Sequence, residues 1–131
     1  MATQPVNARG ASHAASTKQR GDAAEDAALA HLQAAGLALV QRNYRTPGRG
    51  GGEIDLVMRA PDGTLVFVEV RQRAGAAFGG AAGSITARKQ QRIVFAARHF
   101  ISRLRAEPRC RFDVVLVEER IDWLRGAFDA D

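Results

Sequence analysis

Long apolar runs, cysteine pairs, histidine clusters and lysine are all scarce in this chain of 131 residues. No stretch of about 18 apolar residues is present, which excludes a bilayer-spanning helix. Cys110 is the single cysteine, so there is no internal disulfide and no thiolate metal cage, and the expected setting is a reducing, cytoplasmic one. His13, His31 and His99 are scattered without the spacing of a zinc site. The run Gly50-Gly51-Gly52 lacks the Lys-Ser/Thr ending of a phosphate loop. It reads instead as a mobile loop where backbone can approach a substrate. Residues Met1 to Thr17 are small, polar and weakly basic, without the apolar centre of a secretory signal. They are expected to form a disordered tail, leaving residues 18–131 as one domain, since the length leaves no room for a second core.

The composition is that of a folded chain, 46% hydrophobic and 25% charged. The formal net charge is +5, and apart from Lys18 and Lys89 every basic residue is arginine. A polyanionic partner suits that balance, because phosphate contacts release counterions and supply affinity without reading sequence. An arginine-rich genome and an ordinary solvated surface would give the same total. The clustering is more informative: Arg88, Lys89, Arg92, Arg98, Arg103, Arg105, Arg109 and Arg111 stand against Glu107 alone.

Periodicity predicts an α/β fold. Ser16 or Thr17 caps a helix from Lys18 to Ala35, stopped by Gly36. Its apolar stripe holds Ala28, Leu29 and Leu32, and the spacing puts Glu25 on the same face. Leu37 to Arg42 reads as a short strand, with a turn through Asn43, Tyr44 and Arg45 and a flexible loop from Thr46 to Gly52. Glu53–Arg59 and Thr64–Arg71 form antiparallel strands about the turn Ala60-Pro61-Asp62-Gly63. Both are apolar at nearly every position, which implies a sheet covered on both faces. A Gly/Ala-rich loop from Gln72 to Gly83 follows, with Phe78 as its large apolar residue. Thr86 then caps a second helix reaching about Arg105, with Ile93, Ala96, Ala97, Phe100, Ile101 and Leu104 on its inner stripe. Pro108 breaks the chain before a strand from Phe112 to Glu118, and Ile121 to Phe128 adds an edge strand or a helical turn. The order is helix, three strands, helix, strand.

Strand alternation puts Phe67, Glu69 and Arg71 on one face. Pairing about the Asp62-Gly63 turn brings Asp55 beside Glu69. Two carboxylates that close repel unless a cation lies between them. Mg²⁺ takes such a pair together with waters and substrate phosphate oxygens. Salt bridges to Arg45, Arg71 or Arg73 would explain the same two acids without a metal. Glu25, a carboxylate on the inner face of a helix, tips the reading toward an acidic cluster. Glu53 shares the face of Asp55 and is either a further ligand or a strand-end ion pair. Asp113, among Val114, Val115, Leu116 and Val117, is expected to pair with Arg73 or Arg111. Trp123 and Phe128 read as edge packing.

These residues carry a resemblance. Gly21-Asp22, Glu25, Gly36, Asn43-Tyr44-Arg45, Gly52-Glu53-Ile54-Asp55-Leu56, Phe67-Val68-Glu69-Val70, Phe78-Gly79, Lys89 and Arg111-Phe112-Asp113-Val114-Val115 match the pattern of the YraN family, in order and at family-like spacing. That family resembles a branch of the restriction-endonuclease-like (PD-(D/E)XK) fold, close to Holliday-junction resolvases. The resemblance implies an αβββαβ core with a mixed central sheet flanked by helices. It also implies Mg²⁺ (or Mn²⁺) held by Glu25, Asp55 and Glu69, and a DNA partner. Resolvase-like relatives act as dimers, so a homodimer is the matching expectation. The fold's motif ends in Glu-x-Lys, whereas this chain reads Glu69-Val70-Arg71. Lysine can lose its proton when buried and help to deprotonate a water; arginine stays charged but can stabilise transition-state charge.

Two functions follow as expectations. One is a Mg²⁺-dependent endonuclease for structured DNA, with Glu25, Asp55, Glu69 and Arg71 as its working residues. The other is a nucleic-acid-binding module of little or no hydrolytic activity, serving a DNA uptake or repair complex. Lys89 can stand in for the missing lysine, or act as a surface or phosphate contact. Arg45, Arg73, Arg88, Lys89 and Arg92 are the expected nucleic-acid contacts.

Overall fold

Capping chemistry starts the first helix. In the computed structural model, which describes residues 16–72, 85–118 and 120–130, helix α1 spans Thr17–Ala34. Ser16 Oγ accepts the backbone N–H of Gln19, and the Gln19 side chain accepts the N–H of Ser16, forming a reciprocal box. Gly36, at φ 101°, ends it in a conformation that favours glycine. Strands β1 (Ala38–Arg45), β2 (Glu53–Arg59) and β3 (Leu65–Gln72) follow, then helix α2 (Ala87–Ser102), β4 (Cys110–Val117) and β5 (Ile121–Phe128).

The five strands form one mixed sheet in the order β1-β2-β3-β4-β5. Only β3 and β4 run parallel, joined by the crossover that contains α2; the other neighbours are antiparallel. Each face of the sheet carries a helix. Helix α2 packs Ile93, Ala96, Ala97 and Phe100 on Val57, Leu65, Phe67 and Phe112. Helix α1 packs Ala28 and Leu32 on Leu56, Met58, Val66 and Val68. Fully buried side chains such as Phe67 and Ile93 contribute roughly 1.5–3 kcal/mol each to folding. The double cover accounts for the near-continuous apolar runs of β2 and β3.

The expected order of helix, three strands, helix and strand is present, and Ile121–Phe128 is resolved as a fifth strand. Three expectations need correction. Asn43, Tyr44 and Arg45 do not leave the sheet; β1 continues through them and pairs Tyr44 with Ile54. Asn43 alone takes a left-handed conformation, φ 54°, one that asparagine tolerates better than most residues. Tyr44 is buried against Phe100, and that burial outweighs the local turn signal. Leu104 lies beyond the end of α2 and is exposed rather than part of the inner stripe. Thr17, assigned to the tail, is the first residue of α1. Ser16 of the expected tail is the helix cap, while residues 1–15, Arg73, Phe78 and the remainder of the Gly/Ala-rich loop fall outside the described residues, except that Gln72 ends β3.

Candidate metal centre

The β2–β3 ladder runs from Arg59–Leu65 to Leu56–Val68 and stops there. One step further on, Asp55 comes opposite Glu69. β3 keeps its parallel pairing with β4 as far as Gln72–Val117, so β2 ends its ladder with β3 while β3 continues. The Asp55 carboxylate fills part of the gap: Oδ2 accepts the backbone N–H of Val70 at 2.8 Å.

Asp55 also lies where β2 exchanges its faces. Ile54 and Val57 both pack into the α2-side core, although strict alternation would put them on opposite sides. Left-handed Asn43 falls between the pairs Arg42–Leu56 and Tyr44–Ile54, level with this break. This position lets Asp55 interact with Glu69 on the α2 side and with Glu25, which projects from α1 on the other side.

Glu69 is buried in the same patch. Burial pushes its carboxyl up to about 8, helped by the charge of Asp55 and by a hydrogen bond between the two carboxyls, and opposed by Lys89 and Arg71. Burial also raises Asp55, against the Val70 N–H and the hydrogen bond from Glu69. Both carboxyls are thus raised, and the pair holds a proton more readily than an isolated acid does. The cations sit close by without forming tight pairs. Lys89 Nζ is 3.8 Å and Arg71 Nη1 3.7 Å from the same Glu69 Oε2. Lys89 is placed by the start of α2, where Thr86 Oγ1 accepts its backbone N–H.

Glu25 is half-removed from this pair. Burial and the charge of Asp55 raise its carboxyl, while Arg42 opposes them. Arg42 Nε donates to Glu25 at 3.2 Å and Arg42 Nη2 to Asp26 at 2.7 Å. Among the described residues, no three acidic, histidine or cysteine side chains converge closely enough to hold a metal ion as they stand. The geometry presents a two-carboxylate pair, Glu69 buried and Asp55 half-buried, with Glu25 beside it. Arg42 was missed in the sequence because it lies 17 residues from Glu25; its place on β1 beside α1 is a tertiary fact.

Other candidates resolve individually. Glu53 makes the strand-end alternative, an exposed ion pair with Arg45 at 3.7 Å. Arg88 and Arg92 are exposed on α2, and Arg92 Nη2 donates to the Gly51 carbonyl at 3.0 Å. Gly52 brings this loop against the helix: a Cβ there would lie 2.0 Å from the Arg92 carbonyl oxygen. Asp113 pairs with Arg111, as expected, and also accepts from Trp123 Nε1 and the Gly126 N–H. No helix among the described residues is long and apolar enough to cross a membrane.

Comparison with known proteins places the chain in a family. The family described as "Uncharacterised protein family UPF0102" matches residues 24–117, a span that includes Glu25, Asp55, Glu69, Lys89 and Asp113. A UPF0102 protein of Albidiferax ferrireducens is 70% identical over 115 residues, covering 87% of this chain and 90% of its own length. One from an Acidovorax species is 66% identical over 122 residues, covering 92% of each. A third, from Verminephrobacter eiseniae, is 69% identical over 114 residues, covering 86% of this chain and 79% of its own. The chain belongs to the UPF0102 (YraN) family.

Proposed function

We propose that this protein is a Mg²⁺-dependent endonuclease of restriction-endonuclease-like fold that hydrolyses phosphodiester bonds in structured DNA. The observation that carries the reading is the pair of buried Glu69 and half-buried Asp55, whose charges repel and which has Lys89 and Arg71 within 4 Å of Glu69. A hard divalent ion resolves that conflict better than a proton does, since both carboxylates can then ionise. Asp55 and Glu69 would hold the ion, and Glu25 would add a third negative charge from α1. When bound, Mg²⁺ supplies a Lewis acid for a phosphate oxygen and for the attacking water.

The chain's own residues do the rest. Arg71 offers planar guanidinium donors to charge that builds on the phosphate. Lys89 supplies a second cation at the same carboxylate. Exposed Arg88 and Arg92 carry positive charge along α2, and Arg45 with Arg73 extends the expected contact set. The central order helix, three strands, helix, strand supports the fold assignment. The replacement of the motif lysine by Arg71 favours one other reading, a DNA-binding module with weak or no cleavage.

Mg²⁺-dependent cleavage of branched, nicked, single-stranded and linear DNA separates the two. The nuclease reading expects cleavage that needs Mg²⁺ or Mn²⁺ and falls at least about a hundredfold in Asp55→Asn. Salt-sensitive binding without cleavage on any of these substrates, with or without the ion, would instead establish the binding module.

A further inference from the structure

Helix α2 has an outer face as unusual as its inner one. Its sixteen residues include Arg88, Lys89, Arg92 and Arg98 and no carboxylate. Phe95 projects from the middle of that outer face with 54% of its surface exposed, although other apolar residues of the helix, such as Ile93 and Phe100, are buried. Arg88, Arg92 and Phe95 are spaced by four and three residues, so they form one stripe. With Gln91 and Gly50 they line an open cleft of about 500 Å³, within the range of small-ligand sites, roughly 300–1,000 Å³. Neither Arg88 nor Arg92 forms an ion pair with a described residue. The Gly50–Gly52 loop forms the other wall, held by the Arg92–Gly51 hydrogen bond and the close approach at Gly52.

An exposed aromatic ring beside two exposed guanidiniums suits one kind of partner. A nucleobase offers a π-face to the ring, and its flanking phosphates suit the guanidiniums. A base in a duplex is stacked on its neighbours and cannot meet Phe95 face to face. We propose that the Arg88–Arg92–Phe95 stripe binds single-stranded nucleic acid, with an unpaired base stacked on Phe95 and adjacent phosphates held by the two arginines. Lys89, next to Arg88 in the first turn of the same helix, lies 3.8 Å from Glu69 Oε2. The proposal deepens the nucleic-acid reading but does not depend on cleavage or on a metal.

Fluorescence anisotropy of a labelled oligothymidylate, recorded in EDTA with the full chain, tests it apart from any nuclease activity. Phe95→Ala should weaken binding about tenfold or more, and Phe95→Trp should retain it. Arg88→Ala should weaken binding and lower the salt slope by roughly 0.7. An oligonucleotide carrying one abasic position should bind the wild type less tightly, with a smaller further loss in Phe95→Ala. Because Phe95 is exposed, its variants should unfold at the wild-type temperature. Unchanged oligonucleotide affinity in a folded Phe95→Ala protein would overturn the proposal. So would equal losses for single strands and for a blunt duplex. If Phe95→Ala instead dissociates a dimer in sedimentation while binding is unaltered, the face joins two copies of the chain and the proposal is wrong.

Discussion

Two buried acids lie on adjacent, parallel strands of this sheet, and their surroundings are opposite. Asp113 on β4 is fully buried and saturated: Arg111 Nε reaches both of its oxygens at 3.0 and 3.2 Å, Trp123 Nε1 donates at 2.9 Å and the Gly126 N–H at 2.9 Å. Glu69 on β3 is also buried, yet among the described residues its nearest cations stay at 3.7–3.8 Å and its close neighbour is another acid. A carboxylate that serves only the fold is surrounded by donors, as Asp113 is. Among the described residues, Glu69 has no donor as close as those of Asp113, and Asp55 accepts the Val70 N–H. The difference is the one the proposed cation site would require of Glu69 and Asp55.

The largest effect should come from breaking the saturated site. Asp113→Ala strands Arg111 and leaves the Trp123 and Gly126 donors unmet, and should cost about 3–5 kcal/mol in urea unfolding. Removing the unsaturated acid should do the reverse. In metal-free buffer at pH 8, Glu69→Gln should stabilise the protein by about 1–3 kcal/mol, because a repelled buried charge disappears.

The pH dependence has a fixed sign. Glu69 lies at about 8 in the folded chain against an ordinary 4.5, so between those values the native state binds more protons than the unfolded one. Its contribution therefore lowers stability as pH rises through that window and levels off above it. The wild-type minus Glu69→Gln difference should follow this curve in metal-free thermal melts. Lys89→Met gives the smallest effect: it removes a charge that holds Glu69 down, so the same curve should shift to higher pH, with less than about 1 kcal/mol at stake for a partly exposed pair.

Much of the architecture is legible in the sequence because it rests on periodicity and caps. Ser16, Thr86 and Gly36 mark helix ends by side-chain and backbone chemistry that acts over three residues. The Asp62-Gly63 turn sets the register that brings Asp55 to Glu69. Where tertiary packing opposes a local signal, the local signal misleads. Asn43 looks like a turn residue, but buried Tyr44 keeps β1 in the sheet. The partners of each acid are harder still to read. Glu25 meets Arg42 across 17 residues and Asp113 meets Gly126 across 13, separations that no short motif encodes. Phe95 falls outside the inner stripe of its helix, and that position is the sequence signal for its exposure.

The proposed function requires that Asp55 and Glu69 take up a divalent cation in exchange for a proton from carboxyls that burial raises. Titration calorimetry with Mn²⁺ in buffers of different ionisation enthalpy measures that exchange directly. At pH 7 the account predicts that each bound ion releases about one proton, that the release declines toward zero by about pH 9, and that Glu69→Gln abolishes it. Absence of Mn²⁺ binding at millimolar concentration, or binding with no proton release at pH 7, would contradict it.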